Sequence, residues 1–214
     1  MRKVLVIIFA IGFFCLNNLA VAQELKPIPL LDPNLDGGKL LVQALKERKS
    51  QRAFSEKEIP LDVLSNLLWA AFGINRPESG KRTAPSAHNA QEISIYVAKK
   101  EGLFLYNASD HLLEPIRNKD IRGLVGKQSF TQGAPVNLIY VFDQNKLKSH
   151  DNLGRIFYSA ADTGFISQNV YLFCASEGLA TVVLGWIDKP ALSKAMGLSD
   201  HQIVILTQPV GYPQ

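Results

Sequence analysis

The sequence predicts an α+β domain in which helices pack around a mainly antiparallel sheet. Three observations lead there. Val136 to Phe142 is almost uniformly apolar, as in a strand covered on both faces. Glu92 to Ala98 alternates apolar and polar, turns at Lys100-Glu101-Gly102, and returns through Leu103 to Tyr106, the pattern of a hairpin. Asn152 to Glu177 is the longest stretch with apolar residues at helical spacing.

The remaining elements follow in chain order. Gln23 to Gly38, with Pro27, Pro29 and Pro33, reads as an extended arm that packs on the body or on a neighbouring subunit. A first helix covers Lys39 to about Lys49, with Leu40, Leu41, Ala44 and Leu45 as its apolar stripe. Pro60 suits the first position of a second helix, Asp62 favours its first turn, and Gly73 ends it. Asn75 to Thr83 is polar and cationic and reads as a loop, and Asn118 to Val125 as a short helix. In the long helix, Phe157, Ala160, Ala161, Gly164, Ile166, Val170, Phe173 and Cys174 form the apolar rows. Leu179 to Leu184 and Ile203 to Thr207 complete the sheet, with a helix from Pro190 to Met196 between them.

Met1–Ala22 reads as a secretory signal peptide rather than as part of the fold. Arg2-Lys3 give a positive start, Val4 to Cys15 an apolar run too short for a membrane span, and Ala20-Val21-Ala22 a small-residue cleavage site. Cleavage before Gln23 and export to a bacterial periplasm are expected. Of 23 basic and 19 acidic residues, cleavage removes two basic ones, leaving a net charge of +2 and no nucleic-acid footprint. Residues 23–38 then form the arm and 39–214 a single domain. Cys174 is left as the one cysteine of the mature chain, so no internal disulfide forms. Its apolar neighbours point to an inert buried thiol.

Three segments are candidates for chemistry. Arg48-Lys49-Ser50-Gln51-Arg52 is a cationic, hydroxyl-bearing cluster at the end of the first helix. A phosphate needs several charge-assisted donors, and Arg, Lys and Ser supply a planar fork, a point charge and a hydroxyl. Arg48 and Arg52 share a face if the helix persists; a solvated basic helix end explains the same residues. Pro85-Ser86-Ala87-His88-Asn89 is a short polar loop before a strand, suited to the carbonyls and nitrogens of a ring system or simply to capping that strand. Leu184 and Gly185 end a strand where backbone can approach a ligand closely, or where the chain merely turns into a helix. No zinc-ligand spacing, phosphate-loop fingerprint or nucleophile elbow is present.

The order of the motifs is more specific than any one of them. It runs from Arg48 to Phe54, through Leu67-Leu68-Trp69-Ala70-Ala71-Phe72-Gly73-Ile74-Asn75, to Arg82-Thr83-Ala84-Pro85-Ser86-Ala87-His88-Asn89. Gly102 to Tyr106, His111-Leu112-Leu113, Gly164 to Asn169, Glu177-Gly178-Leu179 and Gly211-Tyr212-Pro213 follow. Over nearly all of the mature chain this combination resembles the nitroreductase superfamily, in the branch that includes dehydrogenases oxidising azolines in modified peptides.

The resemblance implies a nitroreductase-like fold and a homodimer with two flavin mononucleotide (FMN) sites at the subunit interface. It implies that Arg48, Lys49, Ser50 and Arg52 hold the ribityl phosphate. Pro85, Ser86 and Asn89 would approach the ring, with Ala87 and His88 beside it, and backbone at Leu184 and Gly185 would face the opposite ring side. The long helix carrying Gly164 and Asn169 would form much of the dimer core. Family members commonly carry a further basic phosphate contact after the Gly-Tyr-Pro segment, whereas this sequence ends at Gln214, so either one phosphate cation fewer or another residue in its place is expected. The expected activity is hydride transfer between an unidentified donor and a small organic acceptor, with free NAD(P)H set aside as donor because the chain is exported. Two alternatives stand beside it: a binding protein of the same fold without efficient flavin catalysis, and a peptide-azoline dehydrogenase working with partner proteins. No metal, nucleic-acid partner or membrane span after cleavage is expected.

Overall fold

The computed structural model describes residues 24–148 and 150–214. The expected signal peptide, Met1–Ala22, lies outside them. Among the described residues, nine strands form a seven-stranded sheet and a separate small hairpin. The strands are β1 (Ile28–Pro29), β2 (Ile74–Arg76), β3 (Lys81–Arg82), β4 (Ile93–Lys99), β5 (Gly102–Asn107), β6 (Leu112–Arg117), β7 (Val136–Asp143), β8 (Ala180–Thr181) and β9 (Gln202–Gly211). The helices are α1 (Leu41–Glu47), α2 (Leu61–Phe72), α3 (Asn152–Glu177) and α4 (Lys189–Met196). The large sheet runs β1-β6-β5-β4-β7-β9-β8, with every described pairing antiparallel. The α+β expectation holds.

Both faces of the central strands are buried, and strand periodicity divides them between two cores. On β7, Val136, Leu138, Tyr140 and Phe142 face α2 and α3, while Ile139 and Val141 face α4. On β4, Ile93, Ile95 and Val97 face the first core, and Tyr96 and Ala98 the second. This double coverage explains why β7 reads as a continuous apolar run. Leu64, Leu67, Leu68 and Ala71 of α2 and Ile166, Val170 and Cys174 of α3 complete the first core. Burial pushes the Cys174 thiol up, which keeps it protonated and inert, as its sequence neighbours suggested.

α3 has the bounds the periodicity predicts. Asp151 caps its start by accepting from the Gly154 amide at 2.7 Å, and Gly178 ends it in the left-handed region at φ 70°. The extended arm packs on its own chain. β1 joins the sheet edge beside β6, and the Leu31 amide donates to Ser65 Oγ at 2.9 Å.

Several expectations change. α1 ends at Glu47, and its apolar stripe is largely uncovered: Ala44 is buried, whereas Leu40, Leu41 and Leu45 are exposed. In α3, Phe157, Ala160 and Gly164 are exposed too. Periodicity identifies a face that avoids water without saying what covers it. The segment 75–83 contains the hairpin β2–β3 rather than only loop. Asn118 to Val125 yields a single 3-10 turn, Arg122–Leu124, and β6 was not anticipated, since Pro115 interrupts its pattern. No helix among the described residues is long and apolar enough to cross a membrane.

Leu68 is fully buried at the α2 contact with the sheet core. Leu68→Ala is expected to cost about 2–5 kcal/mol, read as a fall in the denaturant midpoint.

Candidate functional site

The cationic cluster lies on extended backbone, not on a helix face. After Arg48 the chain runs beside the edge of the large sheet, where the Gln51 amide donates to the Thr181 carbonyl at 2.9 Å. The Ser55 amide donates to the Tyr212 carbonyl, also at 2.9 Å, and Phe54 bridges to Pro213. Sheet-edge and C-terminal pairing thus replace further helical turns. Arg48 and Arg52 are not partners across one turn, so that part of the spacing argument fails. Arg48 places its guanidinium 5.4 Å from the centre of the Tyr171 ring, and Ser50 Oγ lies 2.9 Å from Tyr171 Oη. Among the described residues, no carboxylate lies within 4.0 Å of Arg48, Lys49 or Arg52.

The same tyrosine reaches the third candidate segment. Tyr171 Oη accepts from the Val183 amide at 2.9 Å, and the next residue, Leu184, exchanges backbone hydrogen bonds with Thr207 at 2.8 and 3.1 Å. Gly185 follows, exposed. A side chain there would meet only Leu206, at 3.6 Å, so packing does not demand the glycine and its backbone lies open to approach.

The loop 85–89 is held elsewhere. Ala87–Asn89 forms a 3-10 turn, with His88 at φ 54° and Asn89 at φ 55°; Gln91 follows at φ 48°. Left-handed conformations at non-glycine residues cost of order 1–3 kcal/mol each and persist only when surrounding structure imposes them. Here the Ala87 amide donates to Asp162 Oδ2 at 2.8 Å, and Ser86 Oγ accepts from the Gln91 amide at 3.0 Å. Pro85, His88 and Asn89 are exposed, and the His88 ring lies 5.2 Å from that of His150.

Asp162 and Tyr171 are nine positions apart on α3, about 13 Å along the axis and half a turn round it. They flank opposite edges of its buried stripe. One chain therefore joins the cationic cluster to Leu184 and Gly185, and leaves the 85–89 loop on the far side of α3. Grooves on the surface of the described residues include one of about 530 Å³ beside Leu41, Trp69 and Phe173 and one of about 420 Å³ beside Gly126, Gln128 and Asp188. Neither is lined by a candidate residue. The first is the larger of these two, but the donor chemistry does not lie there.

Sequence reasoning missed Tyr171, Asp162 and Glu92. Glu92 is fully buried behind the loop, and neither of its oxygens has a partner with hydrogen-bond geometry. Burial, and then the nearby Asp162 carboxyl, push it up to about 7; the Lys146 ammonium acts in the opposite direction. An acid within the apolar rows of the long helix was the available signal for Asp162. Among the described residues, no group of three or more His, Cys, Asp or Glu is placed to hold a metal ion.

Residues 45–212 match the sequence model of the nitroreductase family. The chain belongs to the nitroreductase family. A Methanocaldococcus jannaschii protein that carries the nitroreductase name is 27% identical over 181 residues, 80% of this chain and 90% of that one. A crystal structure under the same family name from Ralstonia eutropha superposes with a TM-score of 0.86 at 37% identity, covering 92% of both chains. The Escherichia coli microcin synthetase McbBCD complex contains a chain with the same fold, at a TM-score of 0.68 and 19% identity, covering 98% of this chain and 85% of that one. The family assignment carries oxidoreductase chemistry with it.

Glu92 generates a pH prediction. The folded chain holds its proton more tightly than an unfolded one, whose glutamate titrates near 4.5. Stability from this group is therefore complete below about pH 4.5 and is lost as pH rises through about 7. Glu92→Gln removes the decline: relative to the parent it gains about 1–3 kcal/mol between pH 5 and pH 8 in denaturant titrations.

Proposed function

We propose that this protein is an exported, FMN-dependent oxidoreductase that works as a homodimer. The observation that carries the reading is the donor set at residues 48–52: three cations and a hydroxyl, free of neighbouring carboxylates, fastened to the strand that leads into Gly185. That chemistry fits a dianionic phosphate, which accepts hydrogen bonds and cannot donate them. Arg48, Lys49, Ser50 and Arg52 would hold the phosphate, and the open backbone at Gly185, anchored by the buried Leu184, would face the ring.

The separation of the 85–89 loop from this cluster supports a composite site. Leu40, Leu41, Val42 and Leu45 of α1 and Leu153, Ile156, Phe157 and Phe165 of α3 are exposed in the single chain. Apolar surface of that extent marks an interaction face. A second copy covering it brings its own Pro85, Ser86, Ala87, His88 and Asn89 toward the cluster of the first. The left-handed turn, imposed by Asp162, then presents preformed polar contacts to the ring, so little ordering cost falls on binding.

When bound, FMN supplies the hydride chemistry, and the protein positions the ring, excludes water and shapes access for the substrates. Cations at the phosphate neutralise its charge and fix the register of the cofactor. The motif Met1–Ala22 supports export, and export favours a donor other than free NAD(P)H. Peptide-azoline oxidation is the second reading. It is favoured by the microcin synthetase likeness, which spans 98% of the chain but speaks to fold alone.

The test is the absorption spectrum of purified protein after reconstitution with FMN and desalting, alongside its mass in solution. The expected result is a dimer retaining about one flavin per subunit. Arg48→Ala and Arg52→Ala should each weaken binding about 10- to 100-fold, since each removes charge-assisted hydrogen bonds. An intact dimer that retains no flavin turns the assignment toward a binding protein of this fold.

A further inference from the structure

Tyr171 lies outside every motif that singled out the candidate site, yet one hydroxyl group joins two of its three segments. The residue is half-buried in the last third of α3. Its Oη accepts from the Val183 amide at 2.9 Å and lies 2.9 Å from Ser50 Oγ. Leu184 exchanges both backbone hydrogen bonds with Thr207. Because amides alternate along an antiparallel strand, Val183 points its N–H away from β9, off the edge of the sheet. Tyr171 satisfies that outward donor, while the Gln51 amide satisfies the outward Thr181 carbonyl. The segment 50–51 and this tyrosine together close the edge beside the cationic cluster.

Of the two contacts of Oη, only the one from Val183 has a fixed direction; the Tyr171–Ser50 hydroxyl pair runs either way, and the outward sense is the one a phosphate calls for. An amide N–H can only donate, so Val183 takes one lone pair of Oη. A tyrosine hydroxyl has a single proton, and Ser50 Oγ lies within reach to accept it. A serine that accepts from Tyr171 keeps its own proton for a partner on the outer side. A dianionic phosphate needs that arrangement, since it offers acceptors only. In that sense the chain Val183 N–H to Tyr171 O–H to Ser50 O–H ends in a donor at the cationic cluster, and such chains strengthen their members. The Tyr171 ring also lies beneath the Arg48 guanidinium at 5.4 Å, limiting the orientations of its planar fork.

We propose that Tyr171 is a positioning residue for the phosphate of the cofactor: it orients Ser50 as a donor and ties the phosphate segment to the strand entering Gly185. The proposal rests on the FMN reading above. Tyr171 touches neither the ring nor the reacting atoms in this role, and it acts through Ser50.

The experiment compares FMN with riboflavin, which has the same ring and no phosphate, by titrating each into the full protein and following quenching of flavin fluorescence. Tyr171→Phe keeps the aromatic ring under Arg48 and removes only the hydroxyl. It is expected to raise the Kd for FMN roughly 5- to 30-fold, while riboflavin changes less than about twofold. Ser50→Ala should reproduce this selective loss without touching the core. If Tyr171 acts through Ser50, adding Ser50→Ala to Tyr171→Phe costs less than about twofold more. Should Tyr171→Phe fail to fold, selective loss of FMN in Ser50→Ala alone still supports the relay, and unchanged FMN binding in that variant overturns it. Equal weakening of both flavins by Tyr171→Phe reduces the residue to a packing role and overturns the proposal. So does an unchanged FMN-to-riboflavin ratio in a protein that binds both. A wild-type dimer that binds neither flavin overturns the cofactor reading itself, and this inference with it.

Discussion

The packing of α3 against α2 and the large sheet is the constraint on which the rest of the molecule depends. The helix is 26 residues long, about 39 Å, and it is held at both ends, by the Asp151 cap and by the left-handed Gly178. Its buried stripe of Ile166, Val170 and Cys174 locks it onto the core shared with β4 and β7. Once that stripe is in place, the two edges of the helix have no freedom. Asp162 stands at one edge and organises the 86–91 turn; Tyr171 stands at the other and organises the segment 48–51. Each candidate segment is a loop or sheet-edge strand with few contacts of its own, positioned by one polar side chain from a rigid element.

Polar groups inside the fold divide by whether they are satisfied. Tyr140 Oη donates to Gln208 Oε1 at 2.5 Å between the central strands, and Thr207 Oγ1 donates to the Val125 carbonyl at 2.6 Å, so both are compensated. Glu92 is not. A carboxyl that lies beside another carboxyl and receives no hydrogen bond from a side-chain donor is expensive to bury in charged form, and it remains inside by keeping its proton to near neutrality. It sits directly behind the strained turn, next to the aspartate that holds that turn in place. The stability of the loop side of the site and the protonation of a buried acid are thereby linked, whereas the proposed phosphate side relies on the cations at 48–52 and on the neutral Tyr171–Ser50 pair.

The exposed apolar residues of α1 and α3 connect fold to function. In a single chain they are an uncompensated surface, and the two halves of the candidate site face away from each other across α3. The proposed second copy would cover that surface and bring the two halves together, and family membership makes redox chemistry the natural use of such a site. Among the described residues, no carboxylate pairs with the cations at 48–52, which suits the phosphate proposed for them.

Local pattern alone determined a great deal here. The bounds of α3, the hairpin of β4 and β5, the double-faced strand β7 and the buried thiol of Cys174 all follow from period, turn chemistry and composition, because each depends on neighbours close in the chain. Candidate residues could be nominated as well, since the chemistry proposed for them is carried by short segments: Arg48 to Arg52, Pro85 to Asn89, and Leu184 with Gly185. Periodicity could not tell whether the apolar faces of α1 and α3 meet this chain or another, because burial is a property of the whole assembly. Pro115 hid β6, since propensity is blind to the edge pairing that tolerates it. Tyr171 and Asp162 were invisible as site residues for the same reason. Their roles arise from hydrogen bonds to residues 121 and 75 positions away, and only the tertiary fold brings those partners together.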